Sequence, residues 1–101
     1  MRRLLAVLAL SLAVGACVEP LAEDATGEEV YQGTCAGCHG PNLQGRTGPP
    51  LGPGAPSSDL PRDYFVDTIT NGRGRMPSFD DVLSDEQIER VVDYILSEQG
   101  R

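Results

Sequence analysis

Residues 34–40 read TCAGCHG, which places Cys35, Cys38 and His39 within five positions. His39 is the chain's single histidine, and only one further cysteine, Cys17, exists. Three chemistries bring cysteines and a histidine this close: a redox disulfide, a metal ion and a covalently attached haem. The reading of this stretch decides the fold, because each chemistry belongs to a different scaffold.

Structural zinc takes four Cys or His ligands. Cys35, Cys38 and His39 supply three at most, and the adjacent pair Cys38-His39 is poorly placed to serve one tetrahedral ion. A C-x-x-C redox pair belongs beside a βαβ pattern, and no stretch of this chain alternates as a strand. C-x-x-C-H is also the attachment motif of c-type haem. Two thiols add to the two porphyrin vinyl groups, and the histidine that follows is placed beneath the iron as the proximal ligand. A plain structural disulfide would leave His39 without a purpose.

The N-terminus supplies context. Met1-Arg2-Arg3 is a basic start, and Leu4–Val14 is an apolar run interrupted only by Ser11. It is shorter than the ~20 residues of a membrane span, and with small residues after it this is the pattern of a signal peptide over 1–16. Val14-Gly15-Ala16-Cys17 resembles a bacterial lipobox, which implies lipidation of Cys17; ordinary cleavage at the same bond is the alternative. More than one acyl chain would anchor the protein stably. Residues 17–25, with Pro20 and three acids, read as a tether reaching about 30 Å when extended. These features place the domain on the periplasmic or cell-surface side of a bacterial membrane, where covalent haem attachment occurs.

Composition points the same way. Without residues 1–16 only about a third of the chain is apolar, which is lean for a domain of this size stabilised by burial alone. A haem would fill the deficit. Six arginines then face fifteen acids, a net charge of −9 with no lysine, which argues against a nucleic-acid partner.

The domain, residues 26–101, reads as all-α. Thr26 with Glu29 forms a capping box for a first helix running to about Cys35 or Ala36, its inner face being Gly27, Val30, Tyr31 and Thr34. Gly40–Pro56 holds ten Gly or Pro residues in seventeen and can be neither helix nor central strand. A second helix is expected over Pro61–Thr70 with Tyr64, Phe65 and Ile69 inward. Ser84 and Gln87 cap a third, whose apolar stripe is Ile88, Val91, Val92, Ile95 and Leu96.

If haem is bound, its second axial ligand follows by elimination. Residues 17–101 hold no second His, no Lys and a single Met, Met76, 37 positions after His39 in a loop between Arg75 and Pro77. A gap-filling core methionine is the alternative. A His–Met pair raises the reduction potential and leaves no open iron position, which favours electron transfer over catalysis.

Taken together, residues 26–98 resemble a small class I cytochrome c. Gly27-x3-Tyr31-x3-Cys35 is similar to the family's first helix, where a Gly and an aromatic ring pack on the last helix. Tyr94 matches an aromatic of that last helix. Gly48-Pro49-Pro50-Leu51 resembles the loop whose proline carbonyl accepts the proximal histidine's Nδ1–H. The resemblance implies three main helices with long loops around one haem c bound through Cys35 and Cys38. It also implies iron ligation by His39 and Met76, and Pro49 as orienter of His39. It departs in charge, since mitochondrial members dock through lysines and this chain has none. Arg73 and Arg75 are the only tight basic pair, available to a haem propionate or an acidic partner unless both are solvated loop residues.

The expected function is a lipid-anchored one-electron carrier with redox proteins as partners and no small-molecule substrate. The alternatives are an electron-entry subunit of an oxidase, dehydrogenase or reductase complex, and a haem-based sensor with an open sixth position.

Overall fold

The computed structural model describes residues 21–101. The expected signal peptide over 1–16 and Cys17 therefore lie outside the described residues. Thr26 opens the first helix as the capping box requires: its Oγ1 accepts from the Glu29 amide at 3.1 Å and its amide donates to Glu29 Oε1 at 3.2 Å. Both partners use a donor that the helix start would otherwise leave unpaired.

This helix does not end near Cys35, as its sequence suggests. It runs as α1 (Gly27–Val30), a π turn (Tyr31–Cys35) and α2 (Ala36–His39), and stops at Gly40, whose φ of 86° breaks the helix. In the π turn the Ala36 amide bonds to the Tyr31 carbonyl, five residues back rather than four. One residue is thereby inserted into the register. The buried stripe shifts accordingly, from Val30 and Tyr31 to Cys35, Ala36 and His39. Thr34, expected on the inner face, is only half-buried, and Cys38 is exposed.

A 3-10 turn (Pro56–Asp59) leads to α3 (Arg62–Asn71). Pro61 stands just before α3 as its N-cap, where its missing N–H costs nothing. Phe65 and Ile69 are buried as expected, whereas Tyr64 is half-buried, with its ring edge-on to Phe65 at 5.8 Å. The last helix, α4 (Asp85–Glu98), has both bonds of the Ser84–Gln87 capping box, at 2.9 and 3.2 Å. Ile88, Val91, Val92 and Ile95 are buried and Leu96 packs at the margin. Among the described residues there is no strand, only an isolated bridge between Arg73 and Met76. None of the described helices is long and apolar enough to cross a membrane.

Residues 21–25, expected to belong to the tether, lie against α4. Arg90 Nε donates to the Ala25 carbonyl at 2.9 Å and Gln87 Nε2 to the Ala22 carbonyl at 3.1 Å. Ser84 Oγ donates to Glu23 Oε1 at 2.7 Å, and Ala25 is buried. These contacts are backbone carbonyls matched by polar side chains, which no hydropathy pattern signals.

The frame is set where α1 crosses α4. A Cβ on Gly27 would stand 2.2 Å from the Arg90 carbonyl oxygen and 2.9 Å from Tyr94 Cβ. Only glycine permits this approach, and one turn on it brings Tyr31 and Tyr94 to a centroid separation of 5.5 Å. Gly27→Ala should force the helices apart and cost about 1–3 kcal/mol, as overpacking does. In thermal melts that corresponds to a drop of roughly 4–8 °C per kcal/mol; an unchanged melting temperature would contradict the close crossing.

Candidate haem site

His39 is the last residue of α2, and the helix end gives it both position and tautomer. Its Nδ1 lies 2.7 Å from the Pro49 carbonyl oxygen. A carbonyl only accepts, so Nδ1 carries the hydrogen and Nε2 keeps its lone pair, as a metal-ligating imidazole requires. Gly48 is pressed against the same ring: a Cβ there would be 2.8 Å from His39 Cε1 and 2.9 Å from Nδ1. No larger residue could bring the Pro49 carbonyl so close to this imidazole.

The carbonyls that a helix end leaves unpaired are answered from the Gly/Pro-rich loop. Gly48 N donates to Cys38 O at 2.7 Å, Gly45 N to His39 O at 2.7 Å, and Leu43 N to Gly40 O at 3.1 Å. The loop is thus folded back onto the C-x-x-C-H segment instead of running as a linker.

The two thiols differ in environment. Cys35 is buried and Cys38 exposed, and they do not form a disulfide. Burial, followed by the neighbouring Cys38, pushes the Cys35 thiol up to about 12, so it is held as the neutral thiol. Among the described residues no three of His, Cys, Asp and Glu converge on a point that could hold a metal ion. This is inconsistent with the zinc alternative, as the unjoined thiols are with the disulfide.

Met76 lies on a second loop. It pairs with Arg73 through two backbone bonds, Arg73 N to Met76 O at 3.0 Å and Met76 N to Arg73 O at 2.9 Å. Gly72, at φ 76°, makes this tight turn possible, because a Cβ there would meet Met76 O and Ser78 N at 2.8 Å. The Met76 side chain is half-buried against the core, as are Leu51, Leu60, Val66 and Phe79. Arg73 lies over the Tyr64 ring at 5.0 Å, and Arg75 is exposed. The structure thus brings Cys35, Cys38, His39 and Pro49 into one assembly and holds Met76 on a separate, backbone-fixed turn. The residues fit a haem: a ligand-ready imidazole, two thiols at attachment spacing, a thioether, and apolar side chains that the protein alone leaves incompletely covered.

Sequence comparison agrees. The family model described as "Cytochrome C oxidase, cbb3-type, subunit III" matches residues 22–95. The chain is 39% identical over 74 residues to cytochrome c-551 of Bacillus subtilis, covering 72% of this chain and 61% of that protein. It is 33% identical over 78 residues to cytochrome c6 of Leptolyngbya boryana, covering 74% and 92%. The chain belongs to the class I cytochrome c family. The crystal structure of cytochrome c6 from the diatom Phaeodactylum tricornutum superposes with a TM-score of 0.64 at 30% identity, covering 73% of this chain and 91% of that one. The cofactor of the family is a covalently attached c-type haem. The chain spans about three fifths of the length of the Bacillus relative.

Two residues that sequence reasoning left without a site role stand behind His39. Tyr31 is fully buried and its hydroxyl donates to the Gly40 carbonyl at 2.7 Å. Gln32 Nε2 donates to the Pro41 carbonyl at 2.8 Å. Burial pushes the Tyr31 phenol up to about 12, with smaller contributions from Cys35 and Tyr94. Its folded-state value exceeds the ordinary 10.0, so the unfolded chain loses this proton first. The stability that depends on the neutral phenol is complete below pH 10 and is lost as pH rises towards 12. Urea titrations across this interval should show declining stability, with a shallower decline in Tyr31→Phe; equal slopes would contradict the buried phenol.

Proposed function

We propose that this cytochrome c domain is a one-electron carrier held outside the cytoplasm by a lipid on Cys17. The observation that carries the reading is the 2.7 Å contact from His39 Nδ1 to the Pro49 carbonyl, which leaves the Nε2 lone pair available to a metal. The haem iron supplies the ferric–ferrous couple. Cys35 and Cys38 hold the porphyrin by thioether bonds, which fixes it to the helix end. His39 would hold the iron through Nε2, and Pro49, by accepting the Nδ1 hydrogen, would make the imidazole a stronger donor. Met76 would offer its thioether sulfur as a second ligand. With His39 and Met76 both holding the iron, neither substrate nor oxygen would have a place to bind. The half-buried Leu51, Val66 and Phe79 are apolar surface that would limit water around a bound haem and so lower the reorganisation that accompanies a change of charge.

The backbone pairing of Arg73 with Met76 supports a fixed sulfur position. Met76→Ala should lower the reduction potential by on the order of 0.1 V, since axial ligands set haem potentials across a range of about 0.8 V. It should also let carbon monoxide bind the reduced protein. An unchanged potential in a redox titration would remove Met76 as a ligand, and carbon monoxide binding by the unaltered protein would favour a sensor.

The lipid anchor rests on the Val14-Gly15-Ala16-Cys17 pattern. Cys17→Ser should move the protein from the membrane fraction to the soluble fraction on ultracentrifugation. Retention in the membrane would count against the anchor.

A second reading is favoured by the family description itself, which names an oxidase subunit. In that reading the same domain delivers electrons into a membrane complex as a fixed part of it. A haem-stained native gel of solubilised membranes distinguishes the two: a small free species supports the carrier, and migration only with a large assembly supports the subunit.

A further inference from the structure

The Gly/Pro loop satisfies the carbonyls of Cys38, His39 and Gly40 through its own amides, from Gly48, Gly45 and Leu43. Those bonds travel with the loop. They hold it to His39 but do not tie His39 to the rest of the protein. Among the described residues, two side-chain donors outside the loop reach this end of the helix, Tyr31 Oη to Gly40 O and Gln32 Nε2 to Pro41 O. Both span nine positions, and both start at the π turn, where Tyr31 also receives the Ala36 amide on its own carbonyl. Tyr31 therefore grips the C-x-x-C-H segment twice, by backbone before it and by hydroxyl beyond it. Its ring is packed against Tyr94 of α4 at 5.5 Å, so the grip is referred to the helix crossing at Gly27.

The hydroxyl is not needed merely to satisfy Gly40, whose carbonyl already accepts the Leu43 amide at 3.1 Å. Nor does the π turn serve packing alone. With a regular α-helical register the residue continuing the buried face of Val30 and Tyr31 would be Cys38; with one residue inserted it is His39.

We propose that Tyr31, with Gln32 beside it, is a positioning residue for His39: across the π turn it fixes the imidazole relative to the α1–α4 crossing. This rests on His39 being the proximal haem ligand. Without the staple, His39 and its loop would still hold each other and keep the Gln99 bond to Leu51, but the helix end would open at the π turn more readily than the core of α4.

The test uses the haem-loaded protein. A pyridine haemochrome spectrum first establishes two thioether bonds; a protein that folds without attached haem overturns the ligand reading and this inference with it. Tyr31→Phe is then compared with the unaltered protein by NMR hydrogen exchange in the reduced state. The readout is the exchange of His39 Nδ1–H relative to the amides of Val91 and Val92 in the core of α4, which report global opening. Loss of one net hydrogen bond should accelerate His39 by about five- to tenfold beyond those amides. The ferric haem-methyl shifts, which follow the imidazole plane, should change pattern as well. Equal acceleration of His39 and the α4 amides, or no acceleration, overturns the proposal, since a purely structural hydroxyl would loosen both alike. If Tyr31→Phe does not fold, Gln32→Ala, at an exposed position, carries the same comparison. Selective acceleration of His39 there supports the staple, and its absence overturns it.

Discussion

Everything in this structure is referred to the contact of α1 with α4 at Gly27. The two backbones approach so closely that a methyl group at this position would collide with the Arg90 carbonyl. A crossing this tight brings the largest buried side chain, Tyr31, against Tyr94, and Val30 into the core with Val91 and Val92. Neighbouring bonds reinforce it. Gln87 and Arg90 of α4 hold the carbonyls of residues 22 and 25, so the entering strap is stitched to the same helix. The haem-attachment segment leaves this frame through a single π turn. Its geometry is therefore inherited from a helix crossing and not from the loops around it.

The loop from Gly40 onward illustrates how a Gly/Pro-rich segment becomes ordered. Such a chain has little apolar surface to bury, and its prolines limit the entropy that ordering removes. The driving contacts are hydrogen bonds to the helix end, whose carbonyls need donors and find them in the amides of Leu43, Gly45 and Gly48. Leu43 contributes the one fully buried apolar side chain of this turn and adopts φ 57° to do so. The chain then returns to Leu43, whose carbonyl accepts from Leu51 and Gly52. Farther on, Gln99 and Arg101, beyond the end of α4, reach the carbonyls of Leu51 and Leu60 at 2.9 and 2.6 Å. Loop and C-terminus are thereby closed on each other. What the protein does not close is the apolar margin of Leu51, Leu60, Val66, Met76 and Phe79, which is the surface a bound haem would cover.

The parts of this fold that the sequence makes legible are those governed by local rules. Both capping boxes and the stripe of α4 depend on residues a few positions apart, and each is found where its pattern places it. The Pro49 contact with His39 was legible through the family loop motif and not through any property of the residues taken singly. The π turn was not legible. Periodicity assumes a constant rise and turn, so an inserted residue makes Thr34 look inward and hides Cys35, Ala36 and His39 behind it. Nothing in Tyr-Gln-Gly-Thr-Cys announces the insertion; it is stabilised from outside, by the Tyr31 and Gln32 bonds to residues 40 and 41. The strap at 21–25 was missed for a related reason. Its polar run resembles a tether because it is held through its own backbone carbonyls, which accept from Gln87 and Arg90, and carbonyls have no sequence signature.

Charge bears on what such a domain can meet. Of the six arginines in residues 17–101, four are engaged inside the molecule. Arg62 spans Glu89 and Asp93 of α4, Arg90 holds the strap, Arg101 reaches the Leu60 carbonyl, and Arg73 covers Tyr64. The exposed pairs of Arg62 contribute little to stability individually, but they take the cation out of competition for a partner. Arg46 and Arg75 remain exposed and, among the described residues, without an ion pair. The acids are mostly on the surface, so the field that an approaching protein meets is negative except near Arg46 and near Arg75, which stands beside Met76. A redox partner that was itself acidic would be repelled over most orientations. A basic partner would be attracted over most of the surface and least at Arg75, so contact at the Met76 turn suits a largely apolar surface.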